Sequence, residues 1–137
     1  MTSTFRIFVQ GKASSQGSKV GGKRRDGTVF TRPATKTERP WRQLLTDRIS
    51  QEWDGPPWDG ALELTMTFAF VRPKSGEGKK RPWPTPKPDG DKLQRAVQDA
   101  LKLAGAIVQD SHIVSWVGQK VYRDIPGVQI EIRKLGC

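Results

Sequence analysis

The sequence predicts an α+β fold, a mixed and mainly antiparallel sheet carried with two principal helices. Three observations point to it. Leu62, Leu64, Met66, Phe68 and Phe70 alternate with Glu63, Thr65, Thr67 and Ala69, a period of two over nine residues that only a strand with one buried face explains. Leu93, Val97, Ala100, Leu101 and Ala104 recur at the spacing of one helix face, and Gly105 follows as a C-terminal stop. Short runs rich in β-branched and aromatic residues stand at both ends of the chain, at 4–9, 114–122 and 128–135, and read as further strands. Strands and helices mixed without strict alternation favour α+β. A length of 137 residues suits one domain, 1–137.

In chain order, the first strand (TFRIFV) ends at Gly11. Residues 12–39 are dense in Ser, Gly, Lys and Arg around GGKRRDG, which resists packing and reads as a basic arm or hairpin, with a short strand at Val29, Phe30 and Thr31. After Pro40, a first-turn residue by its fixed φ, the apolar residues Trp41, Leu44, Leu45, Ile49 and Trp53 recur at helical spacing. Trp41 and Trp53 are expected in the core. Pro73 closes the alternating strand, and the loop at 73–88 has too many Pro and Gly residues for a regular element. Asp89 or Asp91 is placed to cap the second helix. Residues 106–108 (AIV) make a brief strand or turn ending at Gln109 and Asp110, and 124–127 (DIPG) turn the chain between the last two strands.

Charge narrows the partners. With 24 Lys and Arg against 14 Asp and Glu the net charge is +10 and the pI about 10.2, which points to a polyanion, foremost nucleic acid. No run approaches the ~20 apolar residues of a membrane span. The N-terminus has no secretory pattern, so a cytoplasmic location is expected. The lone cysteine, Cys137, excludes an intramolecular disulfide and argues against a cysteine zinc cluster. A chain of this size folds without a structural metal, so a bound metal would be functional.

Against that basic background the informative residues are carboxylates. Asp89 and Asp91 flank Gly90 at the mouth of the second helix, where they repel one another unless a cation neutralises them. Oxygen donors of this kind suit Mg²⁺, with Mn²⁺ as a substitute. The plain alternative is that one caps the helix and the other answers its dipole. Asp110, at the end of the segment returning from that helix, is expected to come back beside the pair. With Lys92, Arg95 and Lys87 nearby, the three would make a phosphodiester-cleaving centre. Lys19, Lys23, Arg24 and Arg25 in the arm and Lys74, Lys79, Lys80, Arg81 and Lys87 in the loop are candidate phosphate contacts, and Trp83 is placed to stack on a base or wedge into a junction. His112, the only histidine, is not assigned a catalytic role.

The segment KPDGDKLQRAVQDALKLAGAIVQDSHI, residues 87–113, resembles the central motif of the RusA family of Holliday junction resolvases: a K-P-D-x-D start, a D-A-L-x-x-A-G helix end, and an apolar stretch leading to an aspartate. The resemblance implies a homodimeric, Mg²⁺-dependent endonuclease that nicks a four-way junction symmetrically, its metal held by Asp89, Asp91 and Asp110. Arg95 stands where the family has a lysine and suits a phosphate clamp better than a proton donor. Lys92 stands where the family often has Asn, and Gln109 where it often has an acid. Asp99 is read as structural. Two other readings remain: a nucleic-acid-binding module without catalysis, and a nuclease for branched DNA in general.

Overall fold

The computed structural model describes residues 3–14, 19–23, 29–33 and 38–136. Its strands are β1 (Thr4–Gln10), β2 (Lys19–Lys23), β3 (Val29–Pro33), β4 (Leu62–Phe70), β5 (Ile113–Tyr122) and β6 (Gly127–Lys134), with helices α1 (Glu38–Glu52) and α2 (Gly90–Leu103). Single 3₁₀ turns lie at Glu77–Lys80 and Asp110–His112. β2 and β3 form a separate antiparallel hairpin, so part of the basic arm is a hairpin; Arg24 and Arg25 lie outside the described residues.

The main sheet runs β1-β6-β4-β5. β6 pairs antiparallel with both β1 and β4, whereas β4 and β5 are parallel, so the sheet is mixed and mainly antiparallel as expected. β5 and β6 follow each other in the chain without pairing: β4 lies between them. The DIPG segment is therefore a short bridge over the end of β4 rather than a hairpin turn, tied down by Arg123 N–H to Phe70 O (2.9 Å) and Gly11 N–H to Pro126 O (3.0 Å).

One face of the sheet is apolar in register. Ile7, Val9, Val128, Ile130, Ile132, Leu64, Met66 and Phe68 are all buried, because period-two alternation on three adjacent strands stacks their apolar sides together. The core they join includes α1, through Trp41, Leu45 and Ile49, and α2, through Leu93, Ala96, Val97, Ala100 and Leu101. Burying each large aliphatic side chain contributes about 1.5–3 kcal/mol. The other face is polar, with Arg6 opposite Glu131 and Arg133 opposite Glu63, each pair 2.9 Å apart. Trp53 packs edge-on against both Phe5 and Trp58, closing the core beyond the end of α1.

α2 starts at Asp89 as N-cap. At its other end Gly105, at φ +80°, occupies the left-handed position. Gly105 N–H reaches Lys102 O (3.1 Å) and Ala106 N–H reaches Leu101 O (2.9 Å), the double bond of a Schellman cap. The chain then makes one parallel bridge, Ile107 to Trp58, before entering β5. β4, α2 and β5 thus form a β-α-β crossover. The helix runs antiparallel to the two strands, a polarity that two parallel strands joined by a helix require.

Candidate functional site

The mouth of α2 lies at the C-terminal end of β4 and β5. Lys120 of β5 fixes it there. Its Nζ donates to Pro86 O (2.7 Å) and Pro88 O (2.9 Å), gripping the backbone on both sides of Lys87 immediately before Asp89. Asp89 takes the cap position by backbone conformation, yet its carboxylate makes no capping hydrogen bond. Lys92 Nζ stands 3.8 Å from Asp89 Oδ2, a partly exposed ion pair worth little to stability. Asp91, in the first turn, and Arg95, one turn further, are exposed, on the side of α2 away from its buried face. Gly90 has open space where a Cβ would stand. The result is a pair of carboxylates on the positive end of a helix, oxygens toward solvent, with Lys92 and Arg95 beside them.

Asp110 is elsewhere. It opens the 3₁₀ turn before β5, at the end of the sheet where β4 begins, because the crossover carries the chain back along the whole of α2. A helix of 14 residues spans about 20 Å, and that is the order of separation between Asp110 and the Asp89–Asp91 pair. The expectation that the return from α2 brings Asp110 beside the pair is thus not met within one chain. Among the described residues no three His, Cys, Asp or Glu side chains gather closely enough to hold a metal ion. Beside Asp110, His112 Nδ1 lies 3.4 Å from Asp59 Oδ1 without forming a hydrogen bond.

The basic loop rises from the same end of the sheet as Asp89. Arg72 stacks over the Tyr122 ring, 4.4 Å from its centroid, and donates to Lys79 O (3.3 Å) and to Arg81 O. Arg81 turns inward, half-buried, and donates to Tyr122 Oη (3.4 Å). It braces the loop, and the exposed cations are Lys74, Lys79, Lys80 and Lys87. Trp83 is 56% exposed and Pro84 behind it is buried, so the indole is presented to solvent on a fixed base. The backbones of Lys19 and Lys23 lie on β2.

Sequence reasoning does not single out Lys120, Arg72 or Tyr122. Nothing local marks them, since each acts on a segment more than 30 residues away or, for Arg72, across a loop whose path composition cannot give.

Among the described residues no helix is long and apolar enough to cross a membrane. A family model described as Endodeoxyribonuclease RusA matches residues 11–133 of the 137, covering the hairpin, both helices, the loop and all three aspartates. No curated protein matches the sequence.

Proposed function

Because the chain belongs to the RusA endodeoxyribonuclease family, we propose that it is a divalent-metal-dependent nuclease that resolves four-way DNA junctions by paired nicks, working as a homodimer. The observation that carries this reading is the Asp89–Asp91 pair at the mouth of α2: two exposed carboxylates, neither used to cap the helix through its side chain, in a chain of net charge +10. Acids that only answered the helix dipole would weaken phosphate binding at this surface, which favours a metal-dependent nuclease over a non-catalytic binding module.

The donor set fits Mg²⁺ or Mn²⁺ in part. Asp89 and Asp91 offer hard oxygen ligands, and such ions keep several waters. The third carboxylate is out of reach in the same chain, at the far end of the crossover. In a two-fold dimer with antiparallel neighbouring elements, Asp110 of a second copy stands at the near end. The site is accordingly composite: Asp89 and Asp91 from one chain, Asp110 from the other. When bound, the ion supplies charge at the scissile phosphate and an acidified water. The chain's own residues do the rest. Arg95 and Lys92 offset charge on the phosphate, Lys120 holds the backbone that aims Asp89, and the exposed lysines of the 73–88 loop grip the arms of the junction. Two such sites related by a two-fold axis match the symmetry of the junction.

Cleavage assays on four-way, three-way and linear DNA with and without Mg²⁺ test the activity; equal cutting of linear duplex would make it a general nuclease. Mixing tests the composite site. Asp89→Asn and Asp110→Asn chains are each inactive alone, and a mixed dimer regains one intact site and nicks the junction. A mixture that stays inactive while exchange of subunits is demonstrated would return Asp110 to its own chain or remove it from the site.

A further inference from the structure

Beneath the basic loop lies a cavity of about 170 Å³ that no step above uses. It sits where β4 ends at Phe70 and β5 at Tyr122, between the rim of the sheet and the stretch of loop that leads to Asp89. Phe70 walls it on the sheet side, Pro84 and Pro86 on the loop side. Arg81, Lys120 and Tyr122 also line it, and among the described residues no carboxylate does. These polar groups hold donors in reserve. Arginine has five N–H donors, and among the described residues the Arg81 guanidinium makes one side-chain bond, a long one from Nη1 to Tyr122 Oη (3.4 Å). Lys120 Nζ has three and gives two of them, to Pro86 O and Pro88 O. The Tyr122 hydroxyl accepts from Arg81 and keeps its own proton to donate. Arg81, Lys120 and Tyr122 are all half-buried, where a donor left unmet is costly.

We propose that this cavity receives one unstacked base of the DNA, its faces against Phe70 and the prolines and its edge read by Arg81 and Tyr122. The inference rests on the nuclease reading above and adds to it a means of choosing where along the junction the cut falls. Flat apolar walls suit a ring, whereas a backbone phosphate would use the charge and leave those walls facing water. The donors select the base. Guanine, through O6 and N7, and cytosine, through O2 and N3, each present two adjacent acceptors; adenine sets its amino group beside both N1 and N7, and thymine has an N–H between its two oxygens. Lys87, two residues before Asp89, lines the same cavity. Two residues of chain reach about 7 Å and stacked nucleotides lie about 3.4 Å apart along a strand, so the base read is within about two nucleotides of the bond at the Asp89–Asp91 pair. Taking a base out of its stack costs least where pairing is already interrupted, as at the crossover of a four-way junction.

Binding in EDTA tests this apart from cleavage. Immobile four-way junctions are made with each base pair in turn at every position within two nucleotides of the crossover. At one position a G·C pair should bind about tenfold more tightly than an A·T pair, the scale of one well-made edge contact. Replacing the guanine of that pair by 7-deazaguanine, which lacks N7, removes the preference if guanine is read and leaves it if cytosine is. Val71 lines the cavity and is 52% exposed, so Val71→Trp fills the space without touching the contact between Arg81 and Tyr122. Val71→Trp and Arg81→Gln should each abolish the preference while junctions with A·T at that position bind as before. The salt dependence of binding should be unchanged in Arg81→Gln, because a neutral base releases no counterions. Equal affinity for all pairs at every position, a preference that survives Val71→Trp, or a lower salt slope in Arg81→Gln would each overturn the proposal, the last by giving Arg81 to a phosphate. A base preference in binding by a chain that cuts nothing in Mg²⁺ would count against the nuclease reading alone and uphold the cavity.

Discussion

Asp89 and Arg95 are where residue chemistry decides most. If the proposed site meets phosphate, a carboxylate there is unfavourable until a cation joins it, so Asp89→Asn or Asp91→Asn should abolish cleavage in Mg²⁺ while junction affinity holds or rises. Gel-shift titration beside a nicking assay reads both quantities, and a variant cutting at the wild-type rate would take that aspartate out of the site. Arg95 is exposed on α2, so its removal should leave the fold intact. If it clamps the scissile phosphate, Arg95→Lys retains most single-turnover activity and Arg95→Ala loses roughly 10²-fold, the scale of one missing transition-state donor. Wild-type turnover by Arg95→Ala would pass the clamp to Lys92.

At the scale of the element, the basic loop and the last strand behave differently. Replacing Lys79, Lys80 and Arg81 by Ala should lower the salt dependence of binding by roughly 0.9 for each phosphate no longer neutralised. Because Arg81 points inward to Tyr122, the slope should fall by the share of two cations and not three, and Arg81→Ala alone should loosen the loop without changing the slope. Measuring affinity from low to moderate salt separates the two effects. Gly127 opens β6 opposite Gln10, and a Cβ there would sit 2.4 Å from Val9 O and 2.6 Å from the Phe8 ring. Gly127→Ala should therefore destabilise the fold by roughly 1–3 kcal/mol, an overpacking cost visible as a lower urea midpoint.

The whole molecule shows how far the sequence can be read. Period-two and helical patterns locate β4, β6, α1 and α2 because each of them buries one face in a common core and must repeat apolar residues at its own spacing, whereas β5 is marked by its β-branched and aromatic content and joins the core only through Ile113. Even the Schellman stop at Gly105 is visible as a glycine in the right place. Strand order is not, because periodicity says which face is buried and not which neighbour is paired; the insertion of β4 between β5 and β6 leaves no local trace. The position of Asp110 escapes the sequence for a related reason. A helix followed by a strand suggests a chain folding back beside its own beginning, whereas a parallel crossover returns it to the opposite end of the sheet. The acids are legible one by one, and their arrangement depends on topology.

That same crossover has a genetic consequence. If Asp89 and Asp110 of one chain serve two different sites, a chain carrying Asp89→Asn and Asp110→Asn together disables both sites of any dimer it enters, whereas Asp89→Asn alone disables one. Co-expressed with wild type, the double variant should therefore be the stronger dominant inhibitor: its mixed dimers make no nick, while those of the single variant make one and leave the junction unresolved. A site contained within each chain would give the two variants equal dominance. Counting nicked and resolved junctions from tagged, purified mixed dimers distinguishes the two inheritance patterns.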